Sequence, residues 1–385
     1  MRVLHLARGN LYGGVETVLT TLARYAAVCP PMESHFALCF PGRCSQELID
    51  ANAVVHDLRP VRTRYPWTIW QARQRLQEVL RANRFDIAMM HMSWPHAVFG
   101  SVLTAAGIPI VHWAHGPYSN PTDWVDRWAM RYTPAGIIAN SQYTAKLVAG
   151  LFPDVASKVI SYPLPLSRRD RQANVRATIR QELSVSSDST VIVQVSRMDP
   201  WKGHTMHLDA LARLRHVPAW ECWFIGGAQR PEERKYEHEL SARAAILGIR
   251  DRVKFLGQKT NVGDYLEAAD IFCQPNALPE PYGIVYIEAL QAGLPVVASA
   301  IGGALEIIDS SCGCLVPPGD SVALSDLLSA LIASPSLRLG LARNGPARAS
   351  ELCDPAVQMN RIHDYLRRNR TLGLAKTSSQ RHHVE

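Results

Sequence analysis

The strongest constraint on this chain is an alternation that runs twice. Short β-branched and apolar runs trade places with amphipathic stretches, stop at a proline-rich break, and then start again. Such alternation marks parallel α/β architecture, in which each strand returns to the sheet through a helix. In the first half, strands are expected at Arg2–Ala7, His35–Phe40, Asp86–His91, Pro109–Trp113, Gly136–Ala139 and Lys158–Ser161. Helices are expected between them, among others at Gly14–Val28, Trp67–Ala82 and Ser141–Leu151. Tyr162-Pro163-Leu164-Pro165-Leu166 then opposes both helix and central strand, because proline lacks the amide that either needs. It reads as a hinge. The second half restarts with strands at Thr190–Val195, Trp220–Ile225, Arg252–Phe255, Asp270–Gln274, Pro295–Ala298 and Gly313–Val316, and with helices such as His204–Leu214 and Gly283–Gln291.

A chain of 385 residues is too long for one ordinary core and long enough for two. The reading is therefore an N-terminal domain over 1–163 and a C-terminal domain over 164–354. A last helix, roughly 355–368, crosses back onto the first domain, and a polar, frayed tail follows from about Thr371. The halves share a pattern and no sequence repeat.

Charge and cysteine usage narrow the function classes. The net charge of +7 suits an anionic partner: nucleic acid, an anionic membrane surface or a nucleotide-sugar. No zinc knuckle, helix-turn-helix or aromatic-basic RNA motif appears, which argues against nucleic acid. Apolar runs are strand-sized, well short of the ~20 residues of a spanning helix. The Met1–Ala7 run is too short for a signal peptide. The eight cysteines are scattered, and Cys312-Gly-Cys314 is too tight for a zinc site and has no partner pair. A reduced, cytoplasmic protein with inert core thiols is expected.

Three segments carry chemistry. In Asn10-Leu-Tyr-Gly13-Gly14-Val-Glu16, paired glycines follow the first strand and open a helix. Backbone amides there approach an anion closely, although a tight strand-to-helix turn needs the same residues. In Val195-Ser-Arg197-Met-Asp-Pro-Trp-Lys202-Gly203, a planar fork of donors and a compact ammonium share one loop, which suits a diphosphate. Two solvated surface cations are the plain alternative. The longest motif is Glu280-Pro-Tyr-Gly283-Ile284-Val285-Tyr-Ile-Glu288. Amides of Gly283, Ile284 and Val285 face an anion at a helix start. A carboxylate at Glu288 can accept from vicinal ribose hydroxyls, and Glu280 is placed to reach sugar hydroxyls. Loop glutamates are commonly just solvated, so the spacing matters more than either residue.

Together these segments resemble the retaining glycosyltransferases of family 4 (glycosyl transferases group 1), which have the GT-B fold. Glu280 and Glu288 match that family's Glu-x7-Glu motif, and Arg197 with Lys202 matches its diphosphate clamp. Gly302-Gly303 with Glu306, and Gly313 through Asp320, match its closing signature. The likeness is strongest over about Val191–Asp320. In the first half it rests on Gly13-Gly14-Val-Glu16 and on His115-Gly116. Tyr162-Pro163-Leu164 departs from it, standing where the family often has Asn-Gly-Val.

The resemblance implies two Rossmann-like domains facing across a cleft, an N-terminal acceptor domain and a C-terminal donor domain. It implies a donor pyrophosphate held by Arg197, Lys202 and helix amides, Glu288 on the ribose and Glu280 on the transferred sugar. His115 and the Gly13-Gly14 loop close the site from the other domain. The donor, a co-substrate in place of any cofactor, is expected to be a UDP-sugar, with backbone near Gly226–Gly227 and Leu256–Gln258 around the base. No Asp-x-Asp triplet is present, and cations with helix amides are expected to replace a metal. Attack comes from the front face, without a protein nucleophile. The alternatives are a GT-B nucleotide-sugar epimerase, hydrolase or sugar phosphorylase, and a non-enzymatic basic binding protein.

The expected acceptor is a glycan, glycolipid or lipid-linked sugar. Arg59, Arg62, Arg64, Tyr65, Trp67, Trp70, Arg73, Arg75, Arg81 and Arg84 surround a helix whose buried stripe is Ile69, Ala72, Leu76, Val79 and Leu80. The arginines and tryptophans suit the anionic inner leaflet of a membrane, where the enzyme docks peripherally, or else an ordinary cationic helix with its tryptophans partly in the core.

Overall fold

The computed structural model describes residues 1–10, 13–116, 118, 123–166, 173–228 and 230–381. The chain divides into two units: Met1–Pro165 with Cys353–Glu385, and Leu166–Leu352. The first break falls just past the expected one, because Leu164 N–H donates to Cys353 O (3.1 Å) and ties both segments to the first unit.

The first unit holds a seven-stranded sheet of β1 (Arg2–Ala7), β2 (Glu33–Leu38), β3 (Val54–Asp57), β4 (Ile87–His91), β5 (Ile110–Ala114), β6 (Gly136–Ala139) and β7 (Ser157–Val159). Their order is β3-β2-β1-β4-β5-β6-β7, and every pairing is parallel. Strands covered on both faces read as near-continuous apolar runs, and β4, Ile-Ala-Met-Met-His, is buried throughout. Leu4, Leu6, Met90 and Phe99 pack with Ala72, Leu76 and Val79 of the helix Pro66–Ala82 in one core.

The second unit repeats the architecture with six strands: β8 (Thr190–Val195), β9 (Trp220–Ile225), β10 (Val253–Phe255), β11 (Ile271–Gln274), β12 (Val296–Ser299) and β13 (Gly313–Val316). The order is β10-β9-β8-β11-β12-β13, again parallel. Ile192, Phe224, Cys273 and Val297 meet Leu324 and Leu328 of the helix Ser321–Ala333. That helix is capped by Asp320, whose carboxylate accepts from Val322 and Ala323 N–H. In both sheets the first strand sits mid-sheet with its successors on either side. The carboxyl end of such a switch point is where open α/β sheets bind ligands.

The expected first helix is shorter, Gly14–Arg24, with a 3-10 turn at Ala26–Val28. Strand β3 is an addition to the expected set. The last helix starts at Pro355 as expected and runs on to Arg381, past the expected fraying at Thr371, with no further proline to stop it. It docks on the first unit: Tyr365 Oη donates to Ile137 O (3.0 Å) and accepts from Ile137 N–H (2.9 Å), and Arg370 pairs with Asp86 (2.8 Å). Among the described residues no single helix is long and apolar enough to cross a membrane. Seven of the eight cysteines are buried, and burial pushes the Cys44 thiol up to about 12.

Candidate active site

In the second unit, two loops leave the carboxyl ends of the neighbouring strands β8 and β11, at the switch point. The β8 loop carries Arg197 and Lys202. It turns through the 3-10 segment Pro200–Lys202 into the helix His204–Arg213 at Gly203, whose φ is 76°. A Cβ there would lie 1.7 Å from Pro275 O, so only glycine lets the two loops touch. Ala277 N–H donates to Trp201 O (2.8 Å), a second tie between them. Beneath the loop, Gln194 Nε2 donates to Lys202 O (2.9 Å), and Gln194 Oε1 meets His207 Nδ1 (2.8 Å).

These ties bring the charged groups together. Lys202 Nζ is salt-bridged to Glu280 Oε2 and lies 3.8 Å from the centre of the Trp201 ring. Burial lowers the Lys202 pKa from its ordinary value, while Glu280 pulls the other way. Asn276 Nδ2 donates to Glu280 Oε2 (3.2 Å) and to Tyr286 Oη (3.2 Å), joining the loop to the helix Ile284–Gln291. Arg197 Nη1 pairs with Glu233 (3.0 Å) on the helix Pro231–Ile246, and Arg197 Nη2 lies 3.6 Å from Asp199.

The β11 loop ends at Gly283, the N-cap of Ile284–Gln291, with φ 106°. The side chain of Tyr286 occupies the space a Cβ would need there, 2.3 Å away. The first amides of this helix have no intrahelical acceptor, so Ile284 and Val285 can face an anion. Glu288 lies on the same helix, and burial pushes its carboxyl up to about 7. Gly303 N–H donates to Glu280 O (2.7 Å) and steadies the loop from behind. Gly226 N–H donates to Gly257 O (2.9 Å), which brings the Gly226–Gly227 and Leu256–Gln258 segments side by side at the ends of β9 and β10.

Gly13, Gly14 and His115 belong to the first unit. Gly13 is the N-cap of Gly14–Arg24, and its amide is already taken by Glu16 Oε2 (3.1 Å). Leu11 and Tyr12 lie outside the described residues. His115 follows β5 and is buried, and both ring nitrogens have partners. Nε2 meets His91 Nδ1 (2.8 Å), and Nδ1 meets Tyr162 Oη (2.7 Å). Burial lowers the His115 pKa to about 3, so the ring is neutral.

The Arg/Trp segment divides as the helical stripe requires, with Ala72, Leu76 and Val79 buried. Trp67 and Trp70 are 58% and 62% exposed, so neither enters the core. Arg73 turns inward, donating to Val98 O (2.7 Å) over the Trp128 ring (5.6 Å), and Arg75 pairs with Glu78 (2.6 Å). Trp128 in turn stacks on Trp124, itself 52% exposed.

Sequence motifs reveal neither Glu233, 36 positions from its arginine, nor the partners of His115. Asn276, which ties Glu280 to Tyr286, lies in the same loop and carries no motif of its own. Among the described residues, no group of three His, Cys, Asp or Glu side chains gathers as a ligand set for a metal.

The model of the family described as Glycosyl transferases group 1 matches residues 175–348, and that of Glycosyltransferase Family 4 matches residues 12–167. The chain is 37% identical over 148 residues to a phosphatidyl-myo-inositol mannosyltransferase of Mycobacterium leprae, covering 36% of each chain. It is 31% identical over 204 residues to the lipopolysaccharide glucosyltransferase WaaG of Escherichia coli, covering 51% of this chain and 49% of the relative. These alignments thus span half or less of the relatives' own lengths. Among solved structures, Anabaena Alr3699/HepE in complex with UDP and glucose superposes with a TM-score of 0.81 at 25% identity, covering 95% of this chain and 99% of that one. The WaaG structure shares the fold, with a TM-score of 0.67 at 20% identity over 95% of this chain and 99% of that one.

Proposed function

We propose that this chain, which belongs to the family 4, group 1 glycosyltransferases of GT-B fold, transfers a hexose-type sugar from a nucleoside-diphosphate sugar to a glycan or lipid-linked acceptor, with retention and without a metal. The observation that carries this reading is the pair of loops at the β8–β11 switch point, where Arg197, Lys202, Glu280 and the start of Ile284–Gln291 converge. Two cations and a helix N-terminus suit the charge that grows on a departing diphosphate, the task a metal performs elsewhere. In this reading Arg197 and Lys202 exchange their carboxylate partners for the diphosphate. Glu288 accepts from the ribose, and Glu280 contacts the transferred sugar. His115, Gly13 and Gly14 are proposed donor contacts as well. The acceptor hydroxyl attacks the anomeric carbon on the face the diphosphate leaves, and no protein nucleophile is needed.

UDP is the proposed donor base, supported by HepE, whose structures hold UDP, UDP-glucose, or UDP and glucose. Lipid-linked acceptors are supported by the phosphatidylinositol and lipopolysaccharide enzymes among the relatives. The exposed Trp67, Trp70 and Trp124, set among arginines, suit an anionic bilayer as a docking surface at the cytoplasmic face.

The test is nucleotide release across UDP-, GDP- and ADP-sugars with EDTA present, comparing wild type with Glu288→Ala and Lys202→Ala. Release from one donor class that both variants lose is the expected result. Turnover surviving both substitutions would overturn the assignment. Turnover that needs phosphate, or proceeds fully without acceptor, would favour a phosphorylase or hydrolase.

A further inference from the structure

Six strands of the first unit each deliver, on or just past the strand, one polar side chain to a single hydrogen-bonded ladder. Ser34 Oγ on β2 meets His5 Nε2 on β1 (3.2 Å), and His5 Nδ1 meets His91 Nε2 on β4 (3.1 Å). His91 Nδ1 meets His115 Nε2 beyond β5 (2.8 Å), and His115 Nδ1 meets Tyr162 Oη beyond β7 (2.7 Å). Asn140, beyond β6, closes the end by donating from Nδ2 to Tyr162 Oη (2.7 Å) and to His115 O (3.1 Å).

The sheet register produces this ladder. Val3 lies opposite Ser34, His5 opposite Met89, and His91 opposite Trp113. Each step from Ser34 to His115 therefore moves one strand across and two residues up, which keeps every side chain on the same face. A neutral imidazole has one donor and one acceptor. Burial lowers the pKa of all three rings, His5 and His115 to about 3 and His91 far down. Three neutral rings linked Nδ1 to Nε2 can only be polarised in one direction together, so all three share a tautomer.

We propose that Tyr162 is a positioning residue: its hydroxyl donates to His115 Nδ1 and so fixes His115, His91 and His5 as Nε2–H tautomers, with the ladder running down to Ser34. Asn140 already donates to the phenol oxygen, and the proposal assigns the O–H to the imidazole. At the far end Ser34 is only half-buried, so its own proton goes to solvent while its oxygen accepts from His5. His115 is thereby a neutral ring of fixed orientation, with both nitrogens engaged, and does not exchange protons with a substrate. Its value to the donor sugar rests on the function proposed above. The ladder does not.

The experiment is long-range 1H–15N correlation on the full chain labelled with 15N-histidine, with His5, His91 and His115 assigned through single His→Gln variants. Wild type is expected to show Nε2–H tautomers at all three. Tyr162→Phe is expected to move the His115 Nδ1 resonance toward that of an imine nitrogen without a donor, with a smaller change at His91. Ser34→Ala is expected to perturb His5 first. Nδ1–H tautomers in wild type would overturn the proposal whatever the variants do, and so would a His115 signal unmoved in Tyr162→Phe. Donor kinetics on the same variant separate the two readings. A shifted spectrum with unchanged KM and kcat keeps the ladder and removes His115 from the sugar contact.

Discussion

Lys202 and Glu280 neutralise one another although 78 positions separate them. Gly203 makes the pairing possible by letting the β8 loop rest on Pro275, just before the segment that carries Glu280. The cation proposed to hold the diphosphate and the carboxylate proposed to contact the sugar thus hold each other in place.

That pairing separates two roles by substitution. Lys202→Ala is expected to weaken UDP binding by roughly tenfold to a hundredfold, the size of one lost charge-assisted hydrogen bond to a phosphate. Glu280→Gln, which removes the competing carboxylate, is expected to bind UDP at least as well as wild type while turning over far less donor. Calorimetric titration with UDP beside initial rates checks both, and equal loss of UDP affinity in the two variants would contradict the division.

Glu288 sets a pH dependence with a definite sign. Its carboxyl rises from 4.5 to about 7 in the folded protein because burial penalises the charged form. The folded state therefore holds its proton more tightly, and the stability this gives is complete below 4.5 and lost as pH rises through 7. The Tm of wild type relative to Glu288→Gln should fall between pH 5 and 8, as followed by scanning calorimetry. A pH-independent difference would show an ordinary, solvated carboxyl.

Gly203→Ala places a methyl group 1.7 Å from a carbonyl oxygen at a φ of 76°. Destabilisation of about 2–4 kcal/mol is expected, from both the strained backbone and the displaced Pro275 segment. Urea unfolding measures it.

Trp67 and Trp70 lie outside the buried core of their unit, Trp67 beside the Tyr65 ring at 4.8 Å. Replacing both with alanine is expected to leave Tm within a degree or two and to abolish co-flotation with vesicles rich in anionic lipid. Flotation that never depended on anionic lipid, or that survives the substitution, would remove the bilayer from the proposed partners.

Much of this fold is legible in the sequence where the signal is local. β1, β6, β8, β9 and β13 begin and end where their apolar runs do. β3 escapes notice because Val54-Val55-His56-Asp57 is a four-residue edge strand, exposed or half-exposed, without a clean apolar run. The helix Ser93–Ala105 shows no amphipathic stripe because nearly all of it is buried. The Arg197–Lys202 loop and the Glu280–Glu288 segment were readable because each lies within a few turns of chain. The histidine ladder was not, since its members come from six strands and meet only through register. Tyr162 was conspicuous as a departure from the family pattern, with no hint of what it touches.

The first unit is discontinuous, and this gives it a schedule. Ile137 at the heart of β6 meets its Tyr365 partner 228 positions later, and a ribosome adding about 5–20 residues per second needs roughly 10–45 s to cover that distance. Every strand of the second sheet is synthesised in the interval. The half made first is therefore the half completed last, and its nascent form must wait with one flank of its sheet open while its neighbour takes shape.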